Sequence, residues 1–273
     1  MNAAPTFAWT SGAVHADVVL GVGLLAAAYA VAWTRGPRGG LRDPALFLGG
    51  LIVLLVALNG PLHDLSDYYL FSAHMVQHLL LTLMVPPLLL AGTPGWMADA
   101  LIGPLLRRRR SVGAVARAVT RPVTALGLYA VALIGWHLPA PYEAALEHHA
   151  WHVVEHLVLL VTAVVAWWPV LSPSALLPRL HYGPQILYLF AFGIPMTVVA
   201  AMITGAEQSL YPFYAAAPRL FGLTAPDDQR LGGLIMWVPA GLIPLLAFTV
   251  VFFRWVAAEV DDAEEQVIKR RLL

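Results

Sequence analysis

The stretch YLFSAHMVQHLLLTLMVPPLLLA, residues 69–91, runs for 23 residues without an Asp, Glu, Lys or Arg. About 20 apolar residues in helical form cross the ~30 Å hydrocarbon core of a bilayer, so this stretch reads as a membrane span. Its polar residues are not scattered. At about 100° per residue, His74, Gln77, His78 and Thr82 share one arc narrower than half the helix, while Val76, Leu79, Leu80 and Leu83 cover the rest.

Six more apolar stretches flank it, near residues 16–34, 43–60, 120–137, 152–171, 184–205 and 232–255, the second being short. The whole chain of 273 residues is 59% hydrophobic and only 12% charged, about half the ~25% charged fraction of soluble domains. Too few charges remain to clothe a soluble surface, and too much apolar surface is present for a disordered chain. The expected fold class is therefore all-α, a polytopic helical bundle of seven transmembrane spans in the lipid bilayer, forming one integral membrane domain over residues 1–273. The first span is expected to be retained rather than cleaved, because His15 and Asp17, not a basic region, precede it. The absence of cysteine excludes disulfides, iron–sulfur clusters and thiolate metal sites. Nothing beyond one Arg run suggests nucleic acid as a partner.

Net charge is zero, but the charges are segregated. Fourteen of the sixteen basic residues, including Arg35, Arg38, Arg42, the run Arg107–Arg110, Arg179, Arg254, Lys269, Arg270 and Arg271, fall in alternate loops and the C-terminal tail. Only Arg219 and Arg230 fall on the other side. Cytoplasmic loops carry the excess of Lys and Arg, so the N-terminus is expected outside and the C-terminus in the cytoplasm. Fifteen Arg against one Lys suggests a GC-rich bacterial genome, and hence a bacterial inner membrane. The Arg107–Arg110 run reads first as a topology anchor, with anionic lipid or a cytoplasmic partner as the alternative.

Nine of the ten histidines, His181 being the exception, fall at the outer ends of spans or in outer loops. The third span carries His74 and His78, and the fifth carries His152, Glu155 and His156 on one face. Residues four apart on a helix are neighbours, so each helix brings an HxxxH pair to the same depth. Polar groups inside a membrane are costly and face a bundle interior or wet cavity. A metal site is the sharper reading, and interhelical hydrogen bonding by histidine is the plainer one. Glu155 is tolerable there as a ligand, as a carboxylate orienting an imidazole, or in protonated form. His63 and His137 lie near the clusters, with Asp64 a candidate to orient His63. His15, His148 and His149 read equally well as solvated or interfacial.

Imidazoles suit copper, zinc, iron and nickel. Met75, Met196, Met202 and Met236 offer thioethers to Cu(I), although Met in an apolar helix usually packs; by the expected topology Met202 and Met236 lie nearest the outer surface. The outer segment 206–231 contains Tyr211, Phe213, Tyr214 and Phe221, an interfacial belt or a partner surface, followed by Asp227, Asp228 and Gln229, placed to attract cations over a histidine cavity. Two rival chemistries fit the same residues: bis-histidine haem ligation by His78 and His156, and zinc hydrolysis with Glu155 as general base.

The segment Phe71-Ser72-Ala73-His74-Met75-Val76-Gln77-His78-Leu79-Leu80, followed by Pro86-Pro87, and the segment Asp228-Gln229-Arg230-Leu231-Gly232-Gly233-Leu234-Ile235-Met236-Trp237 resemble two hallmarks of the seven-helix CtaG-like family of cytochrome c oxidase assembly proteins. The resemblance covers roughly residues 15–255 and implies a non-enzymatic assembly role in forming a copper centre of a haem–copper oxidase. It points first to His74, Gln77, His78, Asp228 and Gln229, and then to His63, His152 and His156; taken with the histidine faces, the expected cofactor is copper ion, with His74, His78, His152, His156 and His63 as metal residues. Gln77, Glu155, Asp228, Gln229, Met236 and His137 are expected to assist. Partners implied are cytochrome c oxidase subunits and an outer-side copper donor protein; a homodimer stays open.

Overall fold

The computed structural model describes residues 7–9, 12, 14–37 and 40–272, with the side chains of 262–268 and 270–272 outside the description. Arg38 and the side chains of Arg270 and Arg271, counted above toward topology, therefore lie outside it. In chain order the helices are α1 (Ala16–Arg35), α2 (Arg42–Leu58), α3 (Gly60–Tyr68) and α4 (Phe71–Leu79). A π turn (Leu80–Met84) leads into α5 (Val85–Ala91). Then come α6 (Gly95–Arg108), α7 (Arg110–Val119), α8 (Pro122–Trp136), α9 (Pro139–Glu147), α10 (His149–Leu171), α11 (Tyr182–Gly205), α12 (Pro212–Ala216) and α13 (Ala225–Leu272). No strand occurs among the described residues, so the all-α class holds.

Five helical stretches are long and apolar enough to cross a bilayer, and two bent pairs raise the number to seven. The bent pairs are α2 with α3, at 42°, and α7 with α8, at 72°. They correspond to the second and fourth expected spans. The first break falls at Asn59-Gly60, where Gly60 has φ +70°, a left-handed conformation that glycine adopts without a Cβ clash. Asn59 holds the break together: its Nδ2 donates to the Leu55 carbonyl at 3.2 Å, and its Oδ1 accepts from the His15 backbone N–H at 2.8 Å. At the other end of the chain the expected span 232–255 sits inside a 48-residue helix. At 1.5 Å per residue that helix is about 72 Å long, more than twice the hydrocarbon thickness. No Gly or Pro follows residue 244, and the Ala, Glu, Lys and Arg beyond the apolar run favour helix, so nothing stops it at the membrane edge.

The main core lies among α4, α8, α10, α11 and α13. Tyr129 stacks on Phe192 at 5.2 Å, and Trp167 meets the same ring at 5.0 Å. A smaller cluster of Val22, Leu51, Leu54 and Leu81 joins α1 and α2 to the π turn. Outward-facing residues are apolar too, Phe190 being 77% exposed, as a lipid-facing surface requires.

The third span is where sequence chemistry sets helix register most sharply. Thr82 is followed four and five residues later by Pro86 and Pro87, neither of which has an N–H. The Thr82 carbonyl therefore has neither an α- nor a π-helical partner. The helix adjusts ahead of these prolines through the π turn, and the orphaned carbonyl accepts from Trp167 Nε1 of α10 at 3.0 Å. An unpaired carbonyl in hydrocarbon costs several kcal/mol, so this bond ties α10 to the third span one turn below the histidines.

Candidate metal centre

The N-terminus of α4 is capped from another helix. Its own N-cap residue, Leu70, provides no side-chain cap. Asp228 of α13 does so instead: Oδ2 accepts from Phe71 N at 2.7 Å, and Oδ1 from Ser72 N at 3.1 Å and from Ser72 Oγ. One turn on, a Cβ at Gly232 would lie 2.5 Å from the Phe71 ring, and one at Gly233 would lie 2.2 Å from Thr204 Oγ1. Both glycines let α13 pack tightly, against α4 and α11 respectively. Gln229 ties in the segment after α11, its Oε1 accepting from Leu210 N at 2.6 Å. The second sequence hallmark is thus a clamp that fixes where α4 begins, three residues before His74.

With α4 and α10 locked in register, their histidines converge. The donor atoms of His74, His152, Glu155 and His156 all lie within 4.8 Å of one another. His78 joins them, its Nε2 3.6 Å from Glu155 Oε1. The helices pack directly along the π turn and α5 but part toward α4, and imidazoles fill the gap, with ring centroids 5.2 Å apart for His74 and His152 and 5.4 Å for His78 and His156.

Hydrogen bonding around the cluster sets its tautomers. His137 Nδ1 donates to the Leu133 carbonyl at 2.7 Å, leaving Nε2 as an acceptor. His78 Nδ1–H then donates to that Nε2 at 3.3 Å, so His78 Nε2 keeps its lone pair. Tyr214 donates to the Ser66 carbonyl, so its oxygen accepts from His74 Nδ1–H at 2.8 Å, with the Tyr142 hydroxyl at 3.0 Å from the same nitrogen. Burial pushes both tyrosine hydroxyls well above the usual phenol range, so they act as neutral hydrogen-bonding groups. His152 Nδ1 lies 3.6 Å from Asp67 Oδ2. The outcome is a ring of unmatched atoms: the Nε2 of His74, His78, His152 and His156, and both carboxylate oxygens of Glu155, are buried without a hydrogen-bond partner. Each such buried group costs about 1–3 kcal/mol, and native interiors leave few of them.

Most of the remaining sequence candidates surround this ring. His63 has both nitrogens engaged, Nδ1 with Gln77 Nε2 at 3.1 Å and Nε2 with Asp67 at 3.3 Å, so it presents no lone pair to the cluster. Gln77 also donates to the Ala57 carbonyl at 2.8 Å. Met236, Met75 and Met196 are buried in the apolar core, and Met202 packs on it. His148, His149 and His181 are exposed. Asp67 and Tyr142 were not singled out from sequence, and Tyr214, expected with Tyr211 in an interfacial belt or partner surface, is instead buried, as is Tyr211. Asp67 carried a readable signal, standing four residues after His63 on one helix, whereas the tyrosines come from α9 and α12, connecting segments whose folding back no periodicity announces.

Fold and site together define a helical bundle with membrane-spanning helices and a buried ring of imidazoles around one carboxylate. The cytochrome c oxidase caa3 assembly factor model matches residues 23–258, and the chain belongs to that family. It is similar to uncharacterized proteins of Mycobacterium bovis and Mycobacterium tuberculosis, each 25% identical over 260 residues, covering 88% of this chain and 38% of the relative. A Mycobacterium leprae protein is 22% identical over 266 residues, covering 87% and 38%. The chain thus spans well under half the length of these curated relatives. No solved structure gives a significant match.

Proposed function

We propose that the His74–His152–Glu155–His156 cluster, with His78 beside it, holds copper as cargo during assembly of cytochrome c oxidase. The observation that carries this reading is the ring of buried, unpaired Nε2 and carboxylate atoms. A single cation would satisfy the donor atoms of His74, His152, Glu155 and His156, which lie within 4.8 Å of one another, and the tautomers set by His137 and Tyr214 leave the lone pairs of His78 and His74 turned inward. Nitrogen donors without thiolate suit copper or zinc; membership of an oxidase assembly family favours copper. Cu(I) with one carboxylate is neutral overall, which lowers the cost of a charge inside a bilayer. Release to a recipient site proceeds by ligand exchange, one imidazole at a time, and needs no nucleophile.

The Arg distribution supports a cluster on the outer side of the bacterial inner membrane, where a copper donor and the oxidase subunits would meet it. Haem ligation by His78 and His156 fits poorly: rings 5.4 Å apart at 88° leave no slot for a porphyrin between opposed axial ligands.

The test is oxidase maturation in cells. His74→Ala/His78→Ala should insert normally but yield oxidase deficient in copper and activity, partly rescued by excess external copper. Normal oxidase metallation in this variant would refute the reading.

A further inference from the structure

The cluster residues are at most 9% exposed, so a metal ion needs a route to them. A half-open cavity of about 440 Å³ lies between α1, α2 and α10. His156, a cluster residue, lines it, and so do His15, Asp17 and His149. His149 opens α10 and is exposed; His15, at the start of α1, is half-buried. The rings of His15 and His149 face each other at 6.3 Å, 19° from parallel. Asn59 anchors the His15 backbone, which holds its ring 4.3 Å from His63. His15 Nε2 is buried without a hydrogen-bond partner, a donor atom that the fold leaves unused.

Resting on the copper reading above, we propose that His15 and His149, with the Asp17 carboxylate, form an entry site that captures the incoming ion and passes it along the cavity to His156 and the buried cluster. His63 has both nitrogens occupied and serves as a wall, so the ion moves from His15 to His156 through the cavity. Each step makes one nitrogen–metal bond as another breaks, with no change in oxidation state and no proton transferred. The pair differs from the buried ring in its exposure and in its wider ring spacing, as a site of capture and release should.

The experiment is stopped-flow loading of the purified protein with Cu(I) supplied as a coloured chelator complex. His15→Ala/His149→Ala should slow loading by about tenfold or more, the lower range for loss of local cation capture, with final occupancy and affinity unchanged. His148→Ala, at an exposed neighbour that does not line the cavity, should load at the wild-type rate. An unchanged rate in the double variant overturns the entry site while leaving the buried site standing. Equal slowing in His148→Ala overturns it as well, showing a diffuse surface effect. A drop in final occupancy matching that of His152→Ala would make the pair ligands of the buried site rather than its entrance. Wild-type protein that takes up no copper removes both proposals together.

Discussion

Glu155 is the only carboxylate among the converging donors, and its role decides the chemistry of the cluster. If it binds the ion directly, Glu155→Gln should weaken copper binding as severely as His74→Ala/His78→Ala; if it only orients an imidazole, the loss should be about 10–100-fold. Titration of purified protein against a competing chelator separates the two. The orienting partners make a second prediction. His137→Phe frees His78 to choose the other tautomer, and Asp67→Asn weakens the hold on His63 and His152; each should lower copper affinity by about 10–100-fold without unfolding the protein. Protons compete with metal for imidazole lone pairs, so copper occupancy should fall as pH is lowered. The HxxxH pairs and Glu155 were legible because helical period alone puts them on one face. Asp228, Gln229 and Met236 sit in the same hallmark segments but cap, tie and pack; residue type could not separate these duties from ligation, since the capped N–H groups belong to a helix more than 150 residues away in sequence.

The helices owe their relative placement to a few tertiary bonds that replace missing local ones. Asp228→Ala strips three accepted hydrogen bonds from the start of α4, and the lost cap with its orphaned donors should cost about 2 kcal/mol or more. The expected result is a lower Tm in detergent together with weaker copper binding, because His74 follows the cap by one turn. Trp167→Phe keeps the ring but leaves the Thr82 carbonyl unpaired; it should destabilise by about 1–3 kcal/mol. The seven apolar stretches were readable because hydropathy and length determine where a helix can cross. The bend at Gly60, the π turn and the length of α13 were not, since each depends on how backbone groups are paired or where helix-stopping residues are missing, not on apolar content.

Copper capture from outside the cell requires the histidine ends of the spans and the arginine-bearing loops to lie on opposite sides of the membrane. The chain has no cysteine, so single cysteines report cleanly. With an impermeant thiol reagent on intact cells, His148→Cys should label and Arg108→Cys should not; the reverse pattern would invert the topology. Whether the buried imidazole–carboxylate ring holds copper is decided by X-ray absorption at the copper edge on purified protein loaded with Cu(I). Copper should be retained with two or three imidazole nitrogens at about 2 Å, and that signal should be lost in His74→Ala/His78→Ala. Copper that fails to bind, or that binds with the same imidazole signature in the double variant, would contradict it.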